Sequence, residues 1–152
     1  MIEMLGVLAI VGVLSAGGIA GYSMAMQSYK GTQLIERIHL VATRVRQLYK
    51  GNYTGVSNTN LINSGKLSAN DLTNPFGGNI SVTGDTMYFI VSTDSNIPAE
   101  VCVDIMTADW GNSGVFSGVW DDDEGYYVIN PSMASAIAAC KGGNKQAKLA
   151  FK

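Results

Sequence analysis

The chain opens with a long stretch that carries no charge, and this stretch limits what the whole chain can be. Residues 4–26 are twenty-three uncharged and mostly apolar residues, with Glu3 before them and Lys30 as the next charge after them. A helix of that length spans about 35 Å, enough to cross a bilayer core of about 30 Å, and it is too long for the apolar part of a secretory signal. A plain membrane anchor explains the apolar run but not Glu3, because a carboxylate is costly to bury without a positive partner.

The following stretch changes from uniformly apolar to amphipathic. Its apolar residues recur at alternating spacings of four and three, which places them on one face of a helix. No proline occurs before Lys50, and Gly51 is a suitable helix end. The sequence therefore predicts one helix of nearly fifty residues, with an apolar half over residues 1–27 and a globular head over residues 28–152 that includes the amphipathic half. The apolar face of that half contains Leu34, Ile38, Val41, Val45 and Leu48.

The sequence IEMLGVLAIVGVLSA, residues 2–16, resembles the N-terminal helix of type IV pilins and of the related pseudopilins. In that family a prepilin peptidase cuts after a glycine, the new N-terminus is methylated, and the helices bundle in the core of a helical filament. The family's glutamate lies four residues after the mature N-terminal residue, so the resemblance aligns Met1 with the third mature residue. A leader, the cleavage glycine and two mature residues are then expected before Met1.

The resemblance implies a structural subunit that polymerises through its N-terminal helix into a type IV pilus-like surface filament, in the type IVb-like branch. The implied partners are identical subunits, the bacterial inner membrane before assembly, the pilus assembly machinery and the prepilin peptidase. A pseudopilin of a type II secretion apparatus is the alternative. A monomeric membrane-anchored binding module comes next, and an enzyme comes last.

Glu3 and several glycines are the candidate assembly residues. No Lys or Arg precedes Lys30, so we expect Glu3 of one subunit to meet the N-terminal amine of an adjacent one and to set the axial register. Each glycine weakens a helix by about 1 kcal/mol relative to alanine, so its presence needs a reason. Close helix packing through a Gly-x-x-x-Gly pair and a softened stretch that unwinds in the filament both stay open. The glycines concerned are Gly12, Gly17 and Gly21.

The remaining residues predict an α+β fold, in which an antiparallel sheet with short helices lies on the amphipathic half of the long helix. Pro75 with Gly77 and Gly78 predicts a turn, and Gly84 with Asp85 predicts a two-residue hairpin loop. The predicted strands are 79–83, 86–92, 115–120, 126–129 and 146–151, and the predicted short helical segments are 61–67, 69–72, 97–107 and 130–140.

Two cysteines occur, Cys102 and Cys140, and their spacing contains no C-x-x-C motif that would indicate a zinc site. An exported head would lie in an oxidising compartment, which favours pairing. In the pilins that the chain resembles, a disulfide brackets the C-terminal region of the head, and the resemblance implies the same bond here. Two buried free thiols are the alternative.

Charge and composition offer little support for catalysis or for nucleic-acid binding. The net charge is −2 and the pI is near 5.2, which gives no general attraction to nucleic acid. His39 is the single histidine, and no phosphate-binding loop, nucleophile elbow or metal-ligating pair of histidines is present. We therefore predict no enzyme activity, no cofactor and no specific binding of nucleic acid.

One run of acidic residues lies between two predicted strands. A solvated turn is the ordinary interpretation, and a docking surface for basic residues of a neighbouring subunit is the second. Carboxylates are also suitable ligands for calcium, but the spacing is not that of an EF-hand loop, so a metal site is the weakest interpretation. The run consists of Asp121, Asp122, Asp123 and Glu124.

Overall fold

The structure, a computed structural model, describes residues 2–93, 97–110, 116–120, 125–129, 132–141 and 146–152. Helix α1, Ile2–Tyr49, runs without interruption for 48 residues, which confirms the predicted long helix. It ends where Lys50 and Gly51 take left-handed φ angles of 48° and 95°. A left-handed residue after the last turn is a common way for a helix to end, and Gly51 adopts that conformation without strain.

The C-terminal half of α1 packs on the head through the predicted face. Leu34, Ile38, Val41 and Val45 are fully buried in the hydrophobic core, and Leu48 lies half-buried at its border. The core continues into the sheet and into α3, Ala99–Thr107, which contacts α1 and also α4, Met133–Ala139. Burial of one apolar stripe against a sheet and a second helix holds this half in place, because each large apolar side chain contributes about 1.5–3 kcal/mol when fully buried.

Within the described residues the sheet has five antiparallel strands in the order β1-β2-β5-β3-β4. The last strand of the chain therefore lies in the middle of the sheet, where Phe151 pairs with Phe89 and Leu149 pairs with Val91. This arrangement confirms the predicted α+β fold with an antiparallel sheet. The strands are β1 Ile80–Gly84, β2 Phe89–Thr93, β3 Phe116–Trp120, β4 Gly125–Ile129 and β5 Gln146–Phe151.

The predicted two-residue hairpin between β1 and β2 is wrong. Gly84 is the last residue of β1 and pairs with Phe89, so the loop contains four residues, 85–88, and the N–H of Asp85 donates to the carbonyl of Tyr88 over 2.8 Å. Gly84 is needed for close approach and not for a turn, because a Cβ there would overlap the carbonyl oxygen of Tyr53 and lie 2.8 Å from the Cβ of Val56. Strand β2 consequently starts at Phe89, three residues after the predicted start at residue 86.

The segment between α1 and the sheet contains two short helices. Helix α2, Asn58–Asn63, begins three residues before the predicted 61–67 segment because the Ser57 hydroxyl caps it by accepting from the N–H of Asn60. The 3-10 turn Ala69–Leu72 lies where a helical segment was predicted. The predicted turn after it is confirmed: the N–H of Asn74 donates to Gly78 over 3.0 Å, and Gly77 and Gly78 take φ angles of 97° and 89°.

Candidate assembly surface

The N-terminal half of α1 leaves its apolar side chains uncovered. From Ile2 to Ile19 its large apolar residues expose between 52% and 87% of their surface. By length and composition this helix could cross a membrane: its most apolar window has a mean hydropathy of 2.1, and none of that window is buried. The rest of the described chain does not cover this surface, so it is available to lipid or to another protein.

Glu3 lies in the first turn of α1 and is exposed. Its carboxylate lies near the positive end of the helix dipole, where a negative charge is favourable. Met4, Val7 and Leu8 form a shallow apolar depression beside it. A second subunit that packed against this depression would remove water from Glu3, and the carboxylate would then need a positive partner. The contact between Glu3 and a neighbouring amine stays a prediction.

The glycines of the apolar half have no packing role among the described residues. An ideal Cβ built on Gly12, Gly17 or Gly21 meets no heavy atom of the described chain within 4 Å. The helix is continuous through all three, although each lowers helix stability by about 1 kcal/mol relative to alanine. The fold of one subunit therefore does not explain these glycines, and close packing and unwinding in an assembly both remain predictions.

Two arginines at the border of the buried stripe attach α1 to the head. Arg37 Nη1 donates to the carbonyl oxygen and to the hydroxyl of Thr73, over 2.7 Å in each case. Arg46 Nε donates to the carbonyl of Lys152 over 2.9 Å, and its guanidinium lies 5.5 Å from the ring centroid of Phe151. In the sequence both arginines lie off the apolar stripe of α1, and nothing near them indicates a partner. Their partners lie 36 and 106 residues away, and no local pattern identifies them.

His39 packs against an aromatic cluster of the head. Its ring centroid lies 4.5 Å from that of Trp110, which in turn lies 5.8 Å from Phe151. Trp110 is fixed by a hydrogen bond of 2.9 Å from Nε1 to the carbonyl of Ile105. Within the described residues no group of three or more His, Cys, Asp or Glu side chains could hold a metal ion. His39 is itself exposed, so its ring covers one side of the buried Trp110 ring at the surface of the head.

A disulfide joins α3 to the residue that follows α4. Cys102 and Cys140 are bonded, their Cα atoms lie 5.8 Å apart, and both side chains are buried. The pairing implied by the resemblance is thus confirmed. Because α3 also contacts α1 through Val101, the bond connects the C-terminal region of the head to the helix that carries the apolar half.

The acidic run Asp121, Asp122, Asp123 and Glu124 lies outside the described residues. Strands β3 and β4 on either side of it pair as predicted, with Trp120 opposite Gly125. The solvated turn, the docking surface and the weak calcium site all stay predictions.

Comparison with known proteins agrees with this architecture. The family profile described as PilS N terminal matches residues 28–152. The chain is 28% identical over 131 residues to the major structural subunit of bundle-forming pilus of Escherichia coli O127:H6, and the alignment covers 78% of this chain and 68% of that protein. It is 33% identical over 88 residues to the toxin coregulated pilin of Vibrio cholerae serotype O1, covering 51% of this chain and 39% of that protein. The chain therefore belongs to the PilS N-terminal family, a family of pilins.

Proposed function

We propose that this chain is a structural subunit that polymerises through the apolar half of α1 into a type IV pilus-like surface filament. The main support for this proposal is that every residue of α1 from Ile2 to Ala25 is exposed. Soluble monomers rarely expose so large a continuous apolar surface, because each Å² left in water forgoes about 25 cal/mol. Membership in a family of pilins, and similarity to two named pilus subunits, support the same role.

A bundle of identical helices would cover this surface and would also give the glycines a use. Gly17 and Gly21 are four residues apart on one helix face, where small residues let two helix backbones approach closely. In such a bundle Glu3 would be surrounded by apolar side chains. A buried unpaired carboxylate is strongly unfavourable, so the amine of an adjacent subunit is the partner that would fix the register of addition.

The same surface requires a different cover before assembly, and we infer that this cover is the bacterial inner membrane. The apolar half matches the thickness of a bilayer core, while the head remains in water. The subunit would then move from the membrane into the filament with the pilus assembly machinery, after processing by a prepilin peptidase. The filament would lie outside the cell.

Electron microscopy of material sheared from the cell surface tests this proposal. We expect fibres that contain the chain, identified by mass spectrometry of the sheared fraction, and none in a strain that lacks it. Absence of fibres, with the chain retained in the membrane, would contradict the filament role and leave the pseudopilin. A helical reconstruction of the fibre would also decide the role of the glycines: broken helical hydrogen bonds between Gly12 and Gly21 indicate unwinding, whereas a straight helix leaves close packing.

A further inference from the structure

We propose that the groove at the junction of α1 and the head binds one anionic phospholipid, with its phosphate at Lys30 and an acyl chain along α1. The groove is open and measures about 480 Å³. One wall is α1, with Ile19, Tyr22 and Met26 interspersed with the polar Ser23 and Gln27 and followed by Lys30. The other wall is formed by Phe76 and Pro98 of the head. The inference rests on the proposed membrane-held state and adds to it a lipid and a site.

The position of the groove along α1 matches the depth of a headgroup layer. From Met4 to Lys30 the helix rises about 39 Å, while a bilayer measures about 30 Å across its hydrocarbon core and 40–45 Å including headgroups. If the start of the uncharged run lies at one face of the membrane, Lys30 lies at the headgroups of the other face. Ile19, about 16 Å before Lys30, then lies within the hydrocarbon.

Along α1 the groove changes from mainly apolar side chains to a basic one, which is the order in which the acyl chains of a phospholipid lead to its phosphate. Ile19 and Met26 offer an apolar surface continuous with the exposed face of α1, and Tyr22 exposes 68% of its surface, as tyrosines do at membrane interfaces. Lys30 is half-buried, so its apolar stem lies against the groove while its ammonium can reach the headgroup phosphate. Phe76 and Pro98 give the site a second wall, which a lipid on a bare helix would lack.

A second copy of the chain fits this groove less well. Another α1 lying there would bring apolar side chains to Ile19 and Met26, but its one acidic residue before Lys30 in the sequence, Glu3, is the group that the proposed function places at a neighbouring amine. A phosphate supplies the missing charge. The headgroup of an anionic lipid is therefore the better complement, at about 1 kcal/mol for each basic residue near an anionic surface.

Native mass spectrometry of the full chain in mild detergent tests the site. Phosphatidylglycerol and phosphatidylcholine with identical acyl chains are titrated separately, and we expect a one-to-one adduct that favours phosphatidylglycerol. Lys30→Gln should lower the apparent affinity for phosphatidylglycerol about fivefold and leave the affinity for phosphatidylcholine unchanged. The matched control is Lys50→Gln, which removes the same charge about 30 Å away, one residue after the end of α1, and should change neither affinity.

Four other results of these titrations would each overturn the proposal. Equal affinity for the two lipids, or an unchanged preference in Lys30→Gln, would overturn the site. Displacement of phosphatidylglycerol by an equal concentration of glycerol phosphate would make it a free-phosphate site and would also overturn the proposal. Pairs of subunits that exclude the lipid would assign the groove to a second copy.

Flotation with liposomes separates this inference from the proposed function. A chain that floats with vesicles but shows no preference for phosphatidylglycerol contradicts the groove alone. A chain that does not float contradicts the membrane-held state, and the lipid site with it. Phe76→Ala, with the disulfide shown to be intact, should lower the affinity for both lipids because it removes the second wall of the groove. If it lowers neither affinity, the lipid lies on the bare helix and the proposed site is wrong.

Discussion

Glycines and leucines occur in both halves of α1, but their surroundings differ between the halves. Leu8 and Leu14 expose 67% and 68% of their surface, whereas Leu34 exposes none. A Cβ on Gly17 would meet nothing within 4 Å among the described residues, whereas a Cβ on Gly31 would lie 3.2 Å from Cγ2 of Val101. One continuous helix thus carries, in its C-terminal half, an interface that is already complete and, in its N-terminal half, a surface that no other described residue covers.

Substitutions in the two halves of α1 should therefore affect different measured quantities. A change in the C-terminal half alters the free energy of unfolding of one subunit, because its contacts are intramolecular. A change in the N-terminal half leaves the subunit folded, because its side chains contact little beyond their own helix. Its effect is expected in assembly or in the membrane. Variants chosen in pairs, one from each half, therefore separate folding from polymerisation.

The largest effect is expected for Glu3→Ala in the uncovered half. We expect the yield of sheared fibres to fall by more than about tenfold, because in the proposed filament the variant would lose the carboxylate that pairs with the amine of an adjacent subunit. The folded head should be unchanged, as measured by thermal unfolding followed by circular dichroism. Fibre yield is measured by quantitative immunoblotting of the sheared fraction, with Glu3→Ala as the sole subunit.

Glu3→Gln is the matched variant, since it keeps the shape of the side chain and removes its charge. Loss of fibres in both variants assigns the effect to charge, and loss in Glu3→Ala alone assigns it to shape and hydrogen bonding. Normal fibre yield in Glu3→Ala would contradict the register role. Glu3 would then be an acidic residue that interacts only with the helix dipole.

A smaller loss is expected when the disulfide is removed from the packed part of the molecule. The bond closes a loop between residues 38 apart, which is worth about 4 kcal/mol on the chain-entropy model. We expect the double variant Cys102→Ala with Cys140→Ala to lose about 2–4 kcal/mol of unfolding free energy in chemical denaturation. Alanine avoids placing a serine hydroxyl in a buried site. Reduction of the wild-type chain is the control and should lower stability to a similar extent.

Fibre yield should fall in the double variant as a consequence of the weaker head. Free thiols at both cysteines in exported protein, found by mass spectrometry of non-reduced peptides, would contradict the pairing. A double variant as stable as the wild type would instead show that packing of α3 on α4 suffices.

A third effect compares the same substitution in the two halves. Gly31→Val should destabilise the subunit by about 1–3 kcal/mol, because its side chain overpacks against Val101. Gly17→Val should leave thermal unfolding of the head unchanged and should reduce fibre yield, because the added side chain keeps neighbouring helices apart. Adding Val101→Ala to Gly31→Val should restore part of the stability. Equal fibre yields for Gly17→Val and the wild type would remove the packing role of that glycine.

The sequence was sufficient for the parts of the fold that depend on local periodicity. The four-and-three spacing from Leu34 to Val45 predicts the buried face of α1, and the turn residues around Pro75 predict the loop that follows. Most strands were predicted to within one residue or two, because their β-branched and aromatic runs are bounded by turn residues. The filament role was predicted from the family resemblance of residues 2–16, because hydrophobic periodicity alone does not indicate polymerisation.

The sequence was not sufficient where distant residues meet. A glycine at position 84 is compatible both with a tight turn and with close approach of the Tyr53 carbonyl. Only the folded structure shows that the close approach is the reason. The Asn58 amide donates to the carbonyl of Ile80 and accepts from the N–H of Val82, each over 2.8 Å, and thereby covers the outer edge of β1. Similarly, the groove at Lys30 needs Phe76 and Pro98, which are far away in the sequence.

The smallest expected effect concerns Asp71, which lies next to the packed half of α1. The N–H of Ser68 donates to the Asp71 carboxylate over 2.8 Å, and this bond lowers the pKa of Asp71 from its ordinary value of 3.8. The Ser68 hydroxyl, also at 2.8 Å, and the positive charges of Arg37 and Arg44 lower the pKa further, while partial burial opposes them. A carboxylate with a lowered pKa in the folded state stabilises that state above the unfolded pKa, and the contribution disappears as the pH falls through the lowered value.

Asp71→Asn should therefore lower the melting temperature of the full chain slightly at pH 7, by the equivalent of about 1 kcal/mol, because asparagine keeps an oxygen that can accept from the Ser68 N–H but loses the charge that strengthens this bond. The difference from the wild type should shrink as the pH falls below 3.8 and should vanish once the pH lies below the lowered pKa of Asp71, where its side chain is neutral in both the folded and the unfolded state. Asp104→Asn on α3 removes the same charge from an exposed position and should show no such convergence. If the Asp71→Asn deficit is the same at pH 3 and at pH 7, the carboxylate charge does not stabilise the cap. Fibre yield at pH 7 should be unchanged, because Asp71 acts on the attachment of the head to α1 and not on the uncovered half.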